Sequence, residues 1–66
     1  MKITVNGNER EIAHGTTLSQ LVASLNYDIR LIAVEYNYTV PSKDEYDSIV
    51  LYDGDIIEIV TFMGGG

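Results

Sequence analysis

Alternating apolar and polar positions open this 66-residue chain. Ile3 and Val5 lie between polar neighbours, which is the period of a β-strand with one buried face. The pair Asn6-Gly7 follows and is typical of a tight hairpin turn, because both residues accept a positive φ. The next residues, NEREI, are then expected to return as a second strand. The start of the chain therefore predicts a β-hairpin.

A helical period replaces the alternation in the segment GTTLSQLVASLN. Thr17 and Gln20 have the spacing of a capping box, so the helix is expected to begin at Thr17. Asn26 is suited to end the helix. The apolar residues between these two ends recur with the spacing i, i+3, i+4 and i+7 and form one stripe: Leu18, Leu21, Val22 and Leu25.

Three further extended segments are predicted after the helix. In RLIAVEYN the alternation places Ile32, Val34 and Tyr36 on one face. The polar stretch PSKDEYD is interrupted by proline and is interpreted as a connection with room for one helical turn. IVLY is expected to be a short strand, DGD a tight turn, and DIIEIVTF the last and longest strand.

This order, β-β-α-β-β-β, predicts an α+β fold of the β-grasp (ubiquitin-like) type. One helix can share a core with these strands only by packing across one face of a mixed four- to five-stranded sheet. The predicted domain covers residues 1–62, and 63–66 are expected to form a flexible C-terminal glycine tail. The predicted core residues are Ile3, Val5, Leu18, Leu21, Val22, Leu25, Ile32, Val34, Leu51, Ile57 and Ile59.

Composition narrows the class of protein. Hydrophobic residues make up 45% of the chain and charged residues 21%, which favours a folded domain over a disordered one. With no cysteine, the chain has no disulfide, thiolate metal site or cysteine nucleophile. Neither a membrane-spanning stretch nor a secretion signal is predicted, so we expect a cytoplasmic protein that does not bind membranes.

The charge is strongly one-sided, with a net charge of −6. An acidic surface repels phosphate backbones, so no nucleic-acid partner is expected. The same charge favours encounter with a basic surface on another protein. The alternative is that this charge only keeps a small protein soluble. We expect the free protein to be a monomer.

No self-sufficient catalytic site is predicted. His14 is the single histidine; it stands in a loop beside Gly15 without a cysteine or serine partner, so we interpret it as a solvated turn residue. The DGD segment lacks the further oxygen ligands of a calcium loop, so no metal is expected. We therefore expect neither catalytic residues nor a bound cofactor in this chain.

The last strand and the terminus are the remaining candidates. If the helix covers the face of Ile57 and Ile59, then Ile56, Val60 and Phe62 lie on the opposite face and predict a partner-docking surface. The alternative is that a loop covers them.

The terminal GGG carries no side chains, and extended it would reach roughly 10 Å into a narrow channel of another protein. The terminal carboxylate is ionised at neutral pH and unreactive until another protein activates it. Alternatively, the glycines are a flexible end without a function.

The segments MKITVNG, GTTLSQLVASL, VPSK followed by Tyr46, DGDIIEIVTF and the terminal GGG together resemble the sulfur carrier of thiamine biosynthesis, the ubiquitin-like ThiS family. The resemblance covers the whole chain, and the glycine end after the last strand is its most specific part. It implies a protein cosubstrate and not an enzyme. Two departures are Asn37-Tyr38, where the family often has Asn-Gly, and Val40-Pro41-Ser42-Lys43 with Tyr46, where it usually has Val-Pro-Arg followed by an aromatic residue.

The resemblance also implies residue roles and partners. Gly66 would carry the acyl-adenylate and then a thiocarboxylate, while Gly64 and Gly65 would enter the partners' active sites. Val60 and Phe62 would lie on the partner-facing sheet surface. The implied partners are a ubiquitin-activating-like adenylyltransferase that uses ATP, a sulfur donor system, and thiazole synthase, which receives the sulfur.

Several other functions stay open at this point. The small subunit of molybdopterin synthase shares the fold and the tail, and other pathway-specific sulfur carriers would also fit. A ubiquitin-like modifier joined to lysines would use the same activation chemistry. In a different class, LYDGDIIEIVTF resembles TGS-type regulatory or RNA-associated β-grasp modules, although such modules need no free Gly-Gly end.

Overall fold

The hairpin predicted at the start of the chain is present in the structure, a computed structural model that describes residues 1–62. Strand β1 (Lys2–Val5) pairs antiparallel with β2 (Asn8–Glu11). The two turn residues have positive φ angles, 49° at Asn6 and 82° at Gly7. A turn of this hand matches the twist of the flanking strands, which is why the Asn-Gly pair sets the hairpin register.

The one α-helix of residues 1–62, α1 (Leu18–Ser24), begins as predicted. The Thr17 hydroxyl accepts the backbone N–H of Gln20 at 3.2 Å, and the Gln20 side-chain oxygen accepts the backbone N–H of Thr17 at 3.0 Å. This reciprocal capping box satisfies two N–H groups that the first helical turn leaves without partners. Asn26, at φ 64°, takes the left-handed conformation that ends the helix.

Two later strands complete a mixed sheet. Strand β3 (Ile32–Tyr36) pairs antiparallel with β4 (Ile56–Thr61), and β4 pairs parallel with β1. The strand order is β2-β1-β4-β3, so the last strand lies in the middle of the sheet. Among residues 1–62, β4 is the longest strand, as expected, and the predicted helical turn in the polar connection is a 3₁₀ turn at Lys43–Glu45.

The prediction of a strand at IVLY is wrong, and the sheet of the described residues has four strands. Val50 forms only an isolated bridge with Thr17. The neighbouring backbone groups bond to the start of the helix: Leu18 N–H donates to the Ile49 carbonyl and Leu51 N–H to the Thr16 carbonyl, both at 2.9 Å. This segment therefore lies along the approach to α1 and does not extend the sheet.

The core lies between the helix and one face of the sheet. Nearly all the predicted core residues are buried there; the exception is Leu25, which is half-buried and packs against the core from its margin. Tyr46 is an unpredicted member with 1% of its surface exposed. It comes from the polar connection, where a single aromatic residue gave no periodic signal.

Candidate functional site

The outer face of β4 carries an uncovered apolar surface among the described residues. Val60 and Phe62 expose 57% and 58% of their surfaces. Ile56, predicted to share this surface, is only half-buried. Ile56 is less exposed than Val60 and Phe62 because β1 lies beside β4 at this position, where Thr4 pairs with Ile56 and Val5 with Ile57. No β1 residue pairs with the later residues of β4.

Strand β3 extends this surface on the other side of β4. Ala33 lies directly opposite Val60, and Leu31, which is 50% exposed, accepts a backbone hydrogen bond of 2.7 Å from Phe62 N–H. We call Ala33, Val60 and Phe62 the apolar patch, with Leu31 at its edge. Sequence reasoning missed Leu31 and Ala33, since their place beside β4 depends on the register of two strands distant in the chain.

Acidic side chains lie on the same face of the sheet as the apolar patch. Glu35 and Glu58 lie directly opposite one another in the register of β3 and β4, and both are exposed. Farther across the same face, Glu9 and Glu11 on β2 pair with Thr4 and Lys2 on β1. This face combines the apolar patch with negative charge, which suits a basic protein partner.

A hydrogen-bond cluster holds the beginning of β4. The carboxylate of Asp55, only 8% exposed, accepts the Tyr36 hydroxyl at 2.8 Å, the Asn37 side-chain amide at 3.1 Å and the Tyr52 backbone N–H at 2.8 Å. Burial and the hydrogen bond to Asp55 raise the pKa of Tyr36 to about 12.

The Asp55 cluster joins two segments that are distant in sequence, the end of β3 and the beginning of β4. Asn37 contributes a second bond, since its side-chain oxygen accepts the backbone N–H of Ile56 at 2.8 Å. The predicted DGD turn is present, and Asp53 and Gly54 form it. The role of Asp55 as a buried acceptor was missed. One sequence signal could have revealed this role. An acidic residue stands at the start of a central strand, and tyrosine and asparagine stand at the end of a neighbouring strand.

The predicted attachment point lies beyond the described residues. Strand β4 ends at Thr61, and the bond from Phe62 to Leu31 fixes the last described residue against the sheet. The predicted tail 63–66, with Gly64, Gly65 and Gly66, lies outside the described residues. The apolar patch is therefore directly adjacent in the chain to that segment.

The described residues hold little that resembles a catalytic or metal centre. His14 is exposed, and no group of histidine and acidic side chains within residues 1–62 has the arrangement of a metal site. No pocket opens on this part of the molecule. Its single α-helix is also too short to cross a membrane.

The four-stranded mixed sheet with one helix on its inner face defines a ubiquitin-like β-grasp domain. Its fold is similar to that of the thiamine biosynthesis protein ThiS from Geobacter metallireducens, with a TM-score of 0.85, 32% identity and full coverage of both chains. The ThiS family model matches residues 3–66, and the chain belongs to this family. The family assignment made from the sequence is therefore confirmed.

Curated relatives of this chain include a sulfur carrier and two thiazole synthases. The sulfur carrier protein ThiS of Bacillus subtilis is 35% identical over 65 residues, which cover 97% of this chain and 98% of that protein. A thiazole synthase of Paramagnetospirillum magneticum is 41% identical over 66 residues, all of this chain but 20% of that protein. A thiazole synthase of Magnetococcus marinus is similar over the same share. The chain thus spans about a fifth of the length of these synthases.

Proposed function

We propose that this chain is a sulfur carrier of thiamine biosynthesis and a cosubstrate of enzymes, not an enzyme itself. The observation that carries the proposal is the match to the ThiS family over residues 3–66, which includes the terminal glycines. The Bacillus subtilis relative of nearly the same length is named a sulfur carrier protein. Among the functions left open by the sequence, family membership favours this one.

In this proposal the reacting group is the α-carboxylate of Gly66. A carboxylate with a pKa of about 3.3–3.7 is ionised at neutral pH and a poor electrophile. A ubiquitin-activating-like adenylyltransferase would join it to the α-phosphorus of ATP with release of pyrophosphate. Hydrosulfide from a donor system would then attack the acyl carbon and displace AMP, leaving a thiocarboxylate. ATP is bound by the activating partner, so the carrier needs no cofactor of its own.

The second proposed partner is thiazole synthase, which would take the sulfur from the thiocarboxylate. Support comes from the two relatives named thiazole synthase, since each contains a segment similar to the whole of this chain. Joining two modules in one polypeptide raises the effective concentration of one for the other. Such a fusion is useful when the two modules act together.

The proposed docking surface is the apolar patch, with Ile56 at its inner margin. Phe62 directly precedes the segment 63–66, so a protein that bound this patch would have the terminal glycines within reach. Gly64 and Gly65 lack Cβ atoms and would enter a narrow active site without steric conflict. The carrier would then supply recognition and an acyl group, and its partners would supply the catalytic residues.

Intact mass measurement tests the proposal. The full chain is incubated with the adenylating enzyme of the same organism, ATP and a sulfur source. We expect a mass increase that corresponds to one oxygen replaced by sulfur, and no increase for a chain lacking Gly65 and Gly66. No change with an active enzyme, or equal conversion of the shortened chain, would contradict the proposal.

The thiazole assignment needs a separate experiment, because other sulfur carriers undergo the same activation. Expression of the gene in a strain that lacks its own thiamine sulfur carrier should restore growth without thiamine. A matched strain that lacks the small subunit of molybdopterin synthase serves as the control. Rescue of the control strain alone would assign the chain to the other pathway.

A further inference from the structure

The two glutamates beside the apolar patch are placed unfavourably for the free protein. Glu35 and Glu58 are directly opposite each other in the antiparallel pairing of β3 and β4. They are two residues along each strand from the pair Ala33 and Val60, on the same face. Side chains at such positions point to the same face and have Cβ atoms about 5 Å apart, so two carboxylates there repel each other. An unfavourable pair on the docking face requires an explanation.

One other acidic residue on this face, Glu11, has cations nearby. Glu11 lies 4.0 Å from the amino group of Met1, and Lys2 is its direct cross-strand neighbour. By contrast, neither Glu35 nor Glu58 forms an ion pair with any of residues 1–62. The repulsion between the two glutamates is therefore not relieved by the described part of the chain.

We propose that Glu35 and Glu58 together bind a basic side chain of thiazole synthase when the apolar patch docks on that enzyme. This inference rests on the proposed function and adds the chemistry of the partner's surface. An arginine or lysine between the two carboxylates would remove their repulsion and form charge-assisted hydrogen bonds. The apolar patch would contact apolar side chains next to that cation.

Two observations support this occupant. The chain has a net charge of −6, and the face of the sheet that leads to the segment 63–66 carries four glutamates and one lysine: Glu9, Glu11, Glu35, Glu58 and Lys2. A basic partner surface is the complement of this face. Thiazole synthase is the enzyme in which a segment similar to this chain is covalently included in two relatives.

The test measures binding of the full chain to the thiazole synthase of the same organism by isothermal titration calorimetry. The double variant E35Q/E58Q should raise the Kd at least about tenfold and make its salt dependence shallower, since charged pairs at interfaces contribute strongly to binding. The same variant should resist urea better than the wild type, because the repulsion is removed. Weaker binding by a more stable protein is an outcome that a structural role for the glutamates would not produce.

The matched control is E9Q, which changes the charge of the same face outside the patch. We expect its Kd to stay within about twofold of wild type, because a charge at the rim contributes little to affinity. The inference is overturned if E35Q/E58Q binds like E9Q, if the wild-type chain does not bind the synthase, or if only binding to the adenylating enzyme is weakened. Thiocarboxylate formation by the wild-type chain, measured in parallel, distinguishes these failures from a failure of the proposed function.

Discussion

Asp55 shows most clearly how a single residue organises this small domain. Its buried carboxylate has hydrogen-bond donors from Tyr36, Asn37 and Tyr52. Within the described residues no buried side-chain oxygen or nitrogen lacks a partner, so the burial of this charge is compensated. The local sequence could predict the DGD turn but not Tyr36 and Asn37 as partners, because they reach Asp55 only when β3 and β4 pair.

The Tyr36 hydroxyl in this cluster predicts a dependence of stability on alkaline pH. Its folded pKa, about 12, lies above the ordinary value of 10.0. The protonated hydroxyl therefore contributes stability that is complete below pH 10 and is lost as the pH rises to 12. Urea denaturation over this range should show a steeper fall for the wild type than for Tyr36→Phe.

The Tyr36→Phe variant is a matched control, because it keeps the ring and removes only the titrating hydroxyl. Burial also raises the pKa of Tyr46, so part of the alkaline destabilisation should remain in the variant. Equal pH dependence of wild type and variant would show that Tyr36 does not titrate in the way its contacts indicate.

At the scale of the elements, periodicity predicted what local sequence determines. The Asn6-Gly7 turn, the capping box at Thr17 and the alternation of the strands are local signals, and each element is present. The prediction of a strand at IVLY was wrong, because a short apolar run does not determine whether its backbone pairs with a strand or with the start of a helix. Here Val50 bridges to Thr17.

The turn after β3 provides a prediction about an element. Tyr36 and Thr39 exchange two backbone hydrogen bonds, of 2.7 and 3.0 Å, around the two-residue turn Asn37-Tyr38. Both turn residues have positive φ, 48° and 68°, a conformation that is unfavourable for a tyrosine. Tyr38→Gly should raise the free energy of unfolding by about 1 kcal/mol, since the relief of strain exceeds the extra entropy of glycine in the unfolded chain.

Urea denaturation measures this difference, and Tyr52→Gly is the control. Tyr52 is also an exposed tyrosine, at 66%, but its φ is not positive. Glycine there should give no gain, because it adds entropy to the unfolded chain without relieving strain. Equal effects at the two positions would mean that the turn conformation of Tyr38 costs nothing.

At the scale of the whole molecule, the two faces of the sheet have different roles. One face and α1 enclose the core, and the opposite face presents the apolar patch and its glutamates beside the segment 63–66. Alternation along β4 was enough to predict that Val60 and Phe62 are exposed. It could not predict that Ile56 is half-buried or that Glu35 faces Glu58, because both depend on which strands pair.

The double variant Val60→Ser/Phe62→Ser tests whether the apolar patch binds the activating partner. Both residues are exposed, so we expect the free energy of unfolding to change by only about 0.5 kcal/mol per site. Loss of an aromatic anchor should raise the KM for thiocarboxylate formation at least about tenfold, while kcat at saturating carrier stays near wild type. Rates from intact mass over a series of carrier concentrations measure both constants.

The control is Tyr52→Ser, which removes a similarly exposed side chain outside the patch and should leave KM unchanged. A similar rise in KM for Tyr52→Ser would assign the effect to general surface hydrophobicity.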